Sequence, residues 1–362
     1  MDLNAILKEY AFNGTVSGCS PLGEGHINET MLLNFATEYG TEKYVLQRIN
    51  DKLFDVEKLM RNITLVTDFI RKKTAQRGGD PDKECLTVVR TAKGDSYVKT
   101  ADGYYRIYRF INGVSYQVVE KAEDFYKCAK AFGAFTESLA EFDATLLYEV
   151  IPQFHDTEKR FRDFMNSLEE DASGRAKKVR KEIDFVLKRS DYCSRVVSLL
   201  KNGEIPVRVT HNDTKLNNVM FDKTTGECVA VVDLDTVMPG SLCYDFGDAI
   251  RFGCNTSTED DKYLSRVNFN IDLFRAFAEG YLSEIRGITD TELKNLAFSA
   301  ILMTYECGMR FLADHIDGDT YFRISREGQN LDRARTQFKL IEDMEKVLPE
   351  MEKIVINAKN SV

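Results

Sequence analysis

The stretch IPVRVTHNDTKLNNVMFDKTTGECVAVVDLDTVMPGSLCYDFGDAIRF, residues 205–252, alternates short apolar runs with abrupt polar ones. Pro206 to Val209 reads as a short strand, and the polar loop His211-Asn212-Asp213-Thr214-Lys215 follows it. Val219 to Phe221 and Val229 to Val232 read as two further strands, separated by a turn at Asp222 to Gly226. The last strand opens onto Asp233-Leu234-Asp235. A hairpin of this form is expected to bring Asp213, Asn218 and Asp233 to one end of a small sheet. Two carboxylates and an amide oxygen within reach of one another are hard ligands of the kind magnesium takes.

The spacing narrows the chemistry. His-x-Asp-x-Lys-x-x-Asn, with a further Asp after a strand, resembles the catalytic loop of protein-kinase-like phosphotransferases. That resemblance implies that Asp213 accepts the proton of an attacking hydroxyl, that Asn218 and Asp233 hold Mg²⁺, and that Lys215 sets a cation on the transferred phosphoryl group. HNDTKLNN at 211–218 and DLDTVMPGSLCYDFGD at 233–248 resemble the aminoglycoside phosphotransferase and choline kinase superfamily. Segments along the whole chain resemble, within it, the N-acetylhexosamine 1-kinases. Among them are GEGHIN at 23–28, LMRNITLVT at 59–67, FHDTEKRF at 154–161 and ECGMRFLADHIDGDTYF at 306–322. The superfamily motif implies a kinase using ATP. The end-to-end resemblance implies the acceptor, the anomeric hydroxyl of N-acetylglucosamine or N-acetylgalactosamine.

Composition sets outer bounds. A chain of 362 residues suits a two-lobed enzyme. Its formal net charge of −9 argues against a nucleic-acid binder, and the basic run Arg175 to Lys181 reads as a solvated helix face. No apolar run reads as long enough to span a bilayer, and the N-terminus lacks a signal pattern. Eight cysteines without a CxxC pair suggest neither zinc site nor disulfide framework. A reducing compartment, the cytoplasm, is expected.

From Val16 a strand leads through Pro21-Leu22-Gly23-Glu24-Gly25-His26-Ile27-Asn28 into a second strand, Thr30 to Phe35. Gly23 and Gly25 would let backbone N–H groups approach phosphates closely. The resemblance implies that His26, at the tip of this turn, contacts the sugar. Lys43 to Ile49 is the next strand. Kinases of the superfamily carry a Lys or Arg near its end for the nucleotide's α- and β-phosphates, and Gln47 stands there instead. Arg48 could substitute only with the strand register moved by one, because adjacent side chains face opposite ways. The helix that follows, Val56 to Lys73, has no clear Glu to pair with such a cation. Thr87 to Lys99 and Tyr104 to Ile111 read as strands joined by a turn at Asp102-Gly103. Phe110 and Ile111 are placed like a hinge whose backbone meets adenine. An ordinary strand ending in a turn reads the same way, so the hinge assignment comes from position and resemblance.

From Lys121 the pattern is helical, with Phe125, Cys128, Ala129, Phe132, Phe135 and Leu139 on one face. Further helices are expected near 158–170, 176–189, 191–201, 259–284, 290–315 and 328–357. His211, Asp235 and Asp245 read as structural support for the catalytic loop. Arg310 has the spacing of an i, i+4 ion pair with Asp314. The resemblance implies instead that Arg310 and Tyr321 line the sugar pocket, where a guanidinium fork can hold two sugar oxygens.

The expected fold is α+β and protein-kinase-like. Residues 1–111 would form a small antiparallel-sheet lobe for the nucleotide, and 112–362 a larger helical lobe for catalysis and sugar. Two rivals are a kinase of the same superfamily acting on choline, an aminoglycoside or another small alcohol, and a nucleotide-binding protein without turnover. His26 and Arg310 suit a neutral sugar better than a cationic acceptor. Asp213, Lys215, Asn218 and Asp233 together speak against the non-catalytic reading.

Overall fold

Alternation of apolar side chains builds the N-terminal sheet. A computed structural model of the chain describes residues 1–23 and 28–361. In it β1 (Thr15–Pro21), β2 (Glu29–Thr37), β3 (Gly40–Ile49), β4 (Val98–Thr100) and β5 (Gly103–Arg109) form one sheet in the order β1-β2-β3-β5-β4. The pairings between neighbours are antiparallel. Leu33 and Phe35 on β2, Tyr44 and Leu46 on β3, and Tyr105 and Ile107 on β5 share one face. They close a core with Ile6 of the short helix α1 (Leu3–Leu7) and with Tyr10 just after it. Period-two alternation then sends Gln47, Arg106 and Tyr108 to the opposite face.

One expected strand is mostly absent. Only Val98–Thr100 of the run 87–99 is a strand, with Val88 making a lone bridge to Tyr108. The cause is a tight turn: the Thr91 N–H donates to Asp95 O at 2.9 Å, and Gly94 takes φ +92. The long helix α2 (Val56–Gln76) is capped by Asp55, whose side chain accepts the Lys58 N–H, and it buries Leu59, Met60, Ile63 and Val66.

Contacts divide the chain into two compact units. Met1–Ser115, Glu141–Ile151 and Val219–Met238 make the first, and Tyr116–Ala140, Pro152–Asn218 and Pro239–Val362 make the second. Within the first unit Asn62 of α2 stitches the three segments together. Its amide donates to Tyr148 O at 2.7 Å and Val237 O at 2.9 Å, and it accepts the Tyr148 N–H at 2.9 Å. Val219–Phe221 and Cys228–Val231 pair there as the expected hairpin.

The second unit is mainly helical. Ala122–Ser138 packs on Ile271–Glu284, and Asp290–Asp317 packs on Leu242–Gly253, Thr157–Glu170 and Gln329–Asn360. Gly247 permits one of these approaches, because a Cβ there would lie 2.3 Å from Ser299 O and 2.5 Å from Met303 Cγ. Asp290–Asp317 also corrects the expectation that no segment could span a bilayer. It is long and apolar enough, but 83% of its apolar window is buried inside the protein, the situation of a core helix.

Candidate functional site

The polar loop after Arg208–Thr210 belongs to the second unit, and Asp245 shapes it. The two carboxylate oxygens of Asp245 accept the N–H groups of His211 at 2.9 Å and Asn212 at 2.7 Å, and its carbonyl takes the Thr214 hydroxyl at 2.5 Å. Burial pushes the Asp245 carboxyl above its ordinary range, with the two backbone donors working against that rise. His211 is fully buried, edge-on to Phe132 and Phe135, and its Nδ1 accepts the Asp213 N–H at 3.3 Å. With that nitrogen already engaged by a backbone N–H, His211 suits a brace better than a base.

These bonds present Asp213. Its Oδ1 meets Lys215 Nζ at 2.6 Å, and its Oδ2 accepts Asn218 Nδ2 at 3.0 Å. The same Nδ2 also donates to the Asp213 carbonyl at 2.8 Å. Burial opposes ionisation of Asp213, but Lys215, with His211 and Asn218, outweighs it and holds the carboxyl below the ordinary carboxylate range. Lys215 is held above its ordinary value: burial would lower it, and the charges of Asp213 and Asp248 prevail. The amide nitrogen of Asn218 is spent on Asp213, so its oxygen is the atom left for a hard cation.

Asp233 belongs to the first unit. It follows the hairpin by two residues, in the left-handed conformation (φ 60, ψ 60), and enters a single 3-10 turn, Leu234–Thr236. Asp235 in that turn is buried, with Oδ1 2.6 Å from Arg106 Nη2 as an ion pair off the hydrogen-bond axis. Its Oδ2 accepts Asn28 Nδ2 at 2.6 Å. Arg106 also donates its Nε–H to Gln47 Oε1 at 3.0 Å, since the two residues are register partners on β5 and β3. Burial works to discharge the guanidinium, and Asp235, Tyr108 and Asp233 outweigh it, so its pKa is raised.

No motif in the sequence marks Arg106. The usable signal was an Arg among apolar residues in YYRIYR, on a strand with little exposed surface. Arg48 faces the other way, toward the Asp102 carbonyl at 2.9 Å, and so does not substitute for Gln47. At the expected hinge, the Phe110 N–H is already donated to Lys43 O at 3.2 Å. An adenine edge would therefore have to use the Phe110 carbonyl or groups beyond it. Ile111 is buried. Gly23 takes φ +73 with open space around it. Gly25 and His26 lie outside the described residues.

Arg310 does not pair with Asp314. Asp314 is taken by the backbone N–H groups of Thr320 (2.8 Å), Tyr321 (2.7 Å) and Phe322 (2.9 Å) and by Asn330 Nδ2 (2.8 Å). That carboxylate ties down the loop carrying Tyr321. Arg310 is left among three rings, with its guanidinium carbon 5.6 Å from the Phe154 centroid, 5.9 Å from Tyr321 and 5.4 Å from Phe322. Arg160 is close enough to be affected: burial first, and then the charge of Arg310, pull its pKa down. Nearby, His155 Nδ1 lies 2.9 Å from Glu306 Oε1. Among the described residues no group of three or more His, Cys, Asp or Glu side chains is placed to hold a metal.

The family model for the phosphotransferase enzyme family matches residues 18–284. Among solved structures the chain is similar to an aminoglycoside phosphotransferase from Alicyclobacillus acidocaldarius, at 14% identity and TM-score 0.64, covering 99% of this chain and 97% of that one. It is also similar to a microcompartment-associated aminopropanol kinase, at 16% identity and TM-score 0.58, with 96% of each chain covered. A choline kinase from Cryptosporidium parvum matches at 13% identity and TM-score 0.56, over 94% and 92% of the two chains. At such identities the likeness shows the fold, which is the expected α+β, protein-kinase-like one.

Proposed function

The chain belongs to the phosphotransferase enzyme family, and from that premise we propose that it transfers the γ-phosphate of ATP to the anomeric hydroxyl of an N-acetylhexosamine. The observation that carries the reading is the Asp213 carboxylate, kept ionised by Lys215 and aimed by Asn218. Asp213 orients the sugar hydroxyl and takes its proton as the new O–P bond forms and the bond to the ADP oxygen breaks. A depressed pKa makes Asp213 a weak base. Phosphoryl transfer through a loose transition state relies more on positioning, so an ionised carboxylate at the right atom suffices.

Asn218 and Asp233 are the residues this reading gives to magnesium, which supplies positive charge to the phosphate oxygens. With few protein ligands, the ion would complete its shell from phosphate and water, as magnesium commonly does. Lys215, between Asp213 and the charge of Asp248, is the cation nearest the transferred group in this reading.

The sugar assignment rests on the resemblance and is supported by the surroundings of Arg310. Two guanidinium groups, those of Arg310 and Arg160, would repel a choline or an aminoglycoside. A neutral sugar can offer oxygens to the fork of Arg310 and a ring face to Tyr321. The test is phosphorus NMR of the protein with Mg-ATP and a panel of N-acetylglucosamine, N-acetylgalactosamine, glucose, galactose, choline and kanamycin. An anomeric sugar phosphate formed only from the N-acetylated hexosamines is expected. A phosphorylated choline or kanamycin would overturn the acceptor, and no transfer to any of them would overturn the kinase.

A further inference from the structure

On strand β3 Gln47 stands where a basic side chain is expected. Its register partner across the sheet is Arg106, a guanidinium with only 1% of its surface exposed. Three groups grip it. Gln47 accepts the Nε–H at 3.0 Å, Asp235 faces Nη2 at 2.6 Å, and Met60 Sδ lies 3.8 Å from Nη1. Gln47 is itself fixed, donating its Nε2 to Thr30 Oγ1 at 3.1 Å. The carboxylate that Arg106 holds is held from its other side by Asn28, whose own Oδ1 accepts the Asn50 N–H at 3.0 Å.

This network terminates on one short turn, Leu234–Thr236, entered through Asp233 in a left-handed conformation. A non-glycine residue there is strained and persists only where its surroundings over-determine it. A buried Arg–Asp pair adds little net stability over an apolar pair of the same shape. What it supplies is direction and charge, and both are delivered beside Asp233.

We infer that Arg106 is the positioning cation of the nucleotide site: through Asp235 it fixes the turn that presents Asp233, and with Gln47 as its tether it replaces the basic residue missing from β3. The inference rests on the phosphotransferase reading and extends it to a residue on a different strand. Gln47 becomes the holder of the cation and need not touch phosphate.

Calorimetric binding of adenosine, AMP and ADP, each with and without Mg²⁺, to wild type, R106K, R106M and Q47L tests this without turnover. Adenosine should bind all four proteins alike. ADP affinity should fall about tenfold or more in R106M, the scale of one charge-assisted contact, and Mg-ADP affinity should fall further. R106K should recover part of the loss, keeping the charge but unable to grip Gln47 and Asp235 together. Q47L should lie between wild type and R106M. Parallel losses for adenosine and ADP would reduce Arg106 to a structural residue and overturn the inference, as would unchanged ADP binding. Should R106M fail to fold, R106K and Q47L leave Asp235 opposite a cation and still decide it: ADP affinities equal to wild type in both would overturn it. Wild type that binds neither nucleoside nor nucleotide would sink the phosphotransferase reading itself. Normal ADP binding untouched by these substitutions would sink this inference alone.

Discussion

Asp245 decides whether the loop 211–218 keeps its shape. Its two carboxylate oxygens each accept one backbone N–H, from His211 and Asn212, and all three residues are buried. Asp245→Ala leaves both donors without an acceptor, at about 1–3 kcal/mol each. Two effects return part of that. The substitution removes a carboxylate that burial disfavours, and it frees Asn212 from its left-handed φ of 62. The net expectation is a loss of about 3 kcal/mol. Asp245→Asn keeps one acceptor and turns an NH₂ toward the other donor, so it should cost roughly half as much. Urea unfolding followed by far-UV circular dichroism measures both, and turnover should fall with stability because Asp213 follows Asn212 directly. The sign of the pH dependence is fixed as well. The folded pKa of Asp245 is raised, so its contribution is present below the unfolded value of about 4 and is lost as pH rises through the folded value. The gap between wild type and Asp245→Asn should therefore narrow as pH rises. A loss below about 1 kcal/mol for Asp245→Ala, or a gap that widens with pH, would refute this account of the loop.

Asp213→Asn should lower turnover by about three orders of magnitude while leaving the thermal unfolding curve near that of wild type; near-normal activity would sink the mechanism. Lys215→Met removes the main charge that holds the Asp213 carboxyl down, so the acid limb of the kcat profile should move to higher pH, and an unmoved limb would mean that the pair does not govern the reaction. Asn62→Ala deletes three hydrogen bonds that join α2 to two distant segments of the first unit and should cost about 2–3 kcal/mol by denaturant titration; a neutral result would mean the stitch is redundant.

Local geometry is what the sequence disclosed. Asp213, Lys215 and Asn218 lie within one loop and their contacts are short in sequence, so the motif spacing carried their arrangement. Readings that ignored the rest of the chain failed. The spacing of Arg310 and Asp314 is right for an ion pair, yet a returning loop brings three backbone donors to Asp314, and a buried carboxylate facing three N–H groups has no oxygen to spare for the guanidinium. The run 87–99 is β-branched enough for a strand, but the turn at Lys93-Gly94-Asp95 breaks it. Gln47 looked like a vacancy because its compensating residue is 59 positions away on the neighbouring strand. Only the register, which no single-strand pattern specifies, puts Arg106 beside it.

Backbone strain connects these observations. Among the described residues the non-glycine positions with positive φ are Gln153, Asp171, Asn212, Asp233 and Asp319. Asn212 precedes Asp213, Asp233 is itself a candidate ligand, Gln153 precedes Phe154 beside Arg310, and Asp319 lies in the loop of Tyr321, whereas Asp171 simply ends the helix Thr157–Glu170. Asn and Asp tolerate this conformation better than most side chains, though still at about 1–2 kcal/mol. Three of the strained turns have a polar clamp: Asp245 for Asn212, the Arg106–Asp235–Asn28 network for the turn after Asp233, and Arg175 with Asn330 for Asp319. Strain beside positions proposed for chemistry, held by polar clamps, is what a preorganised site requires. The clamps, more than the groups they aim, are therefore where substitutions far from any substrate should reach the reaction.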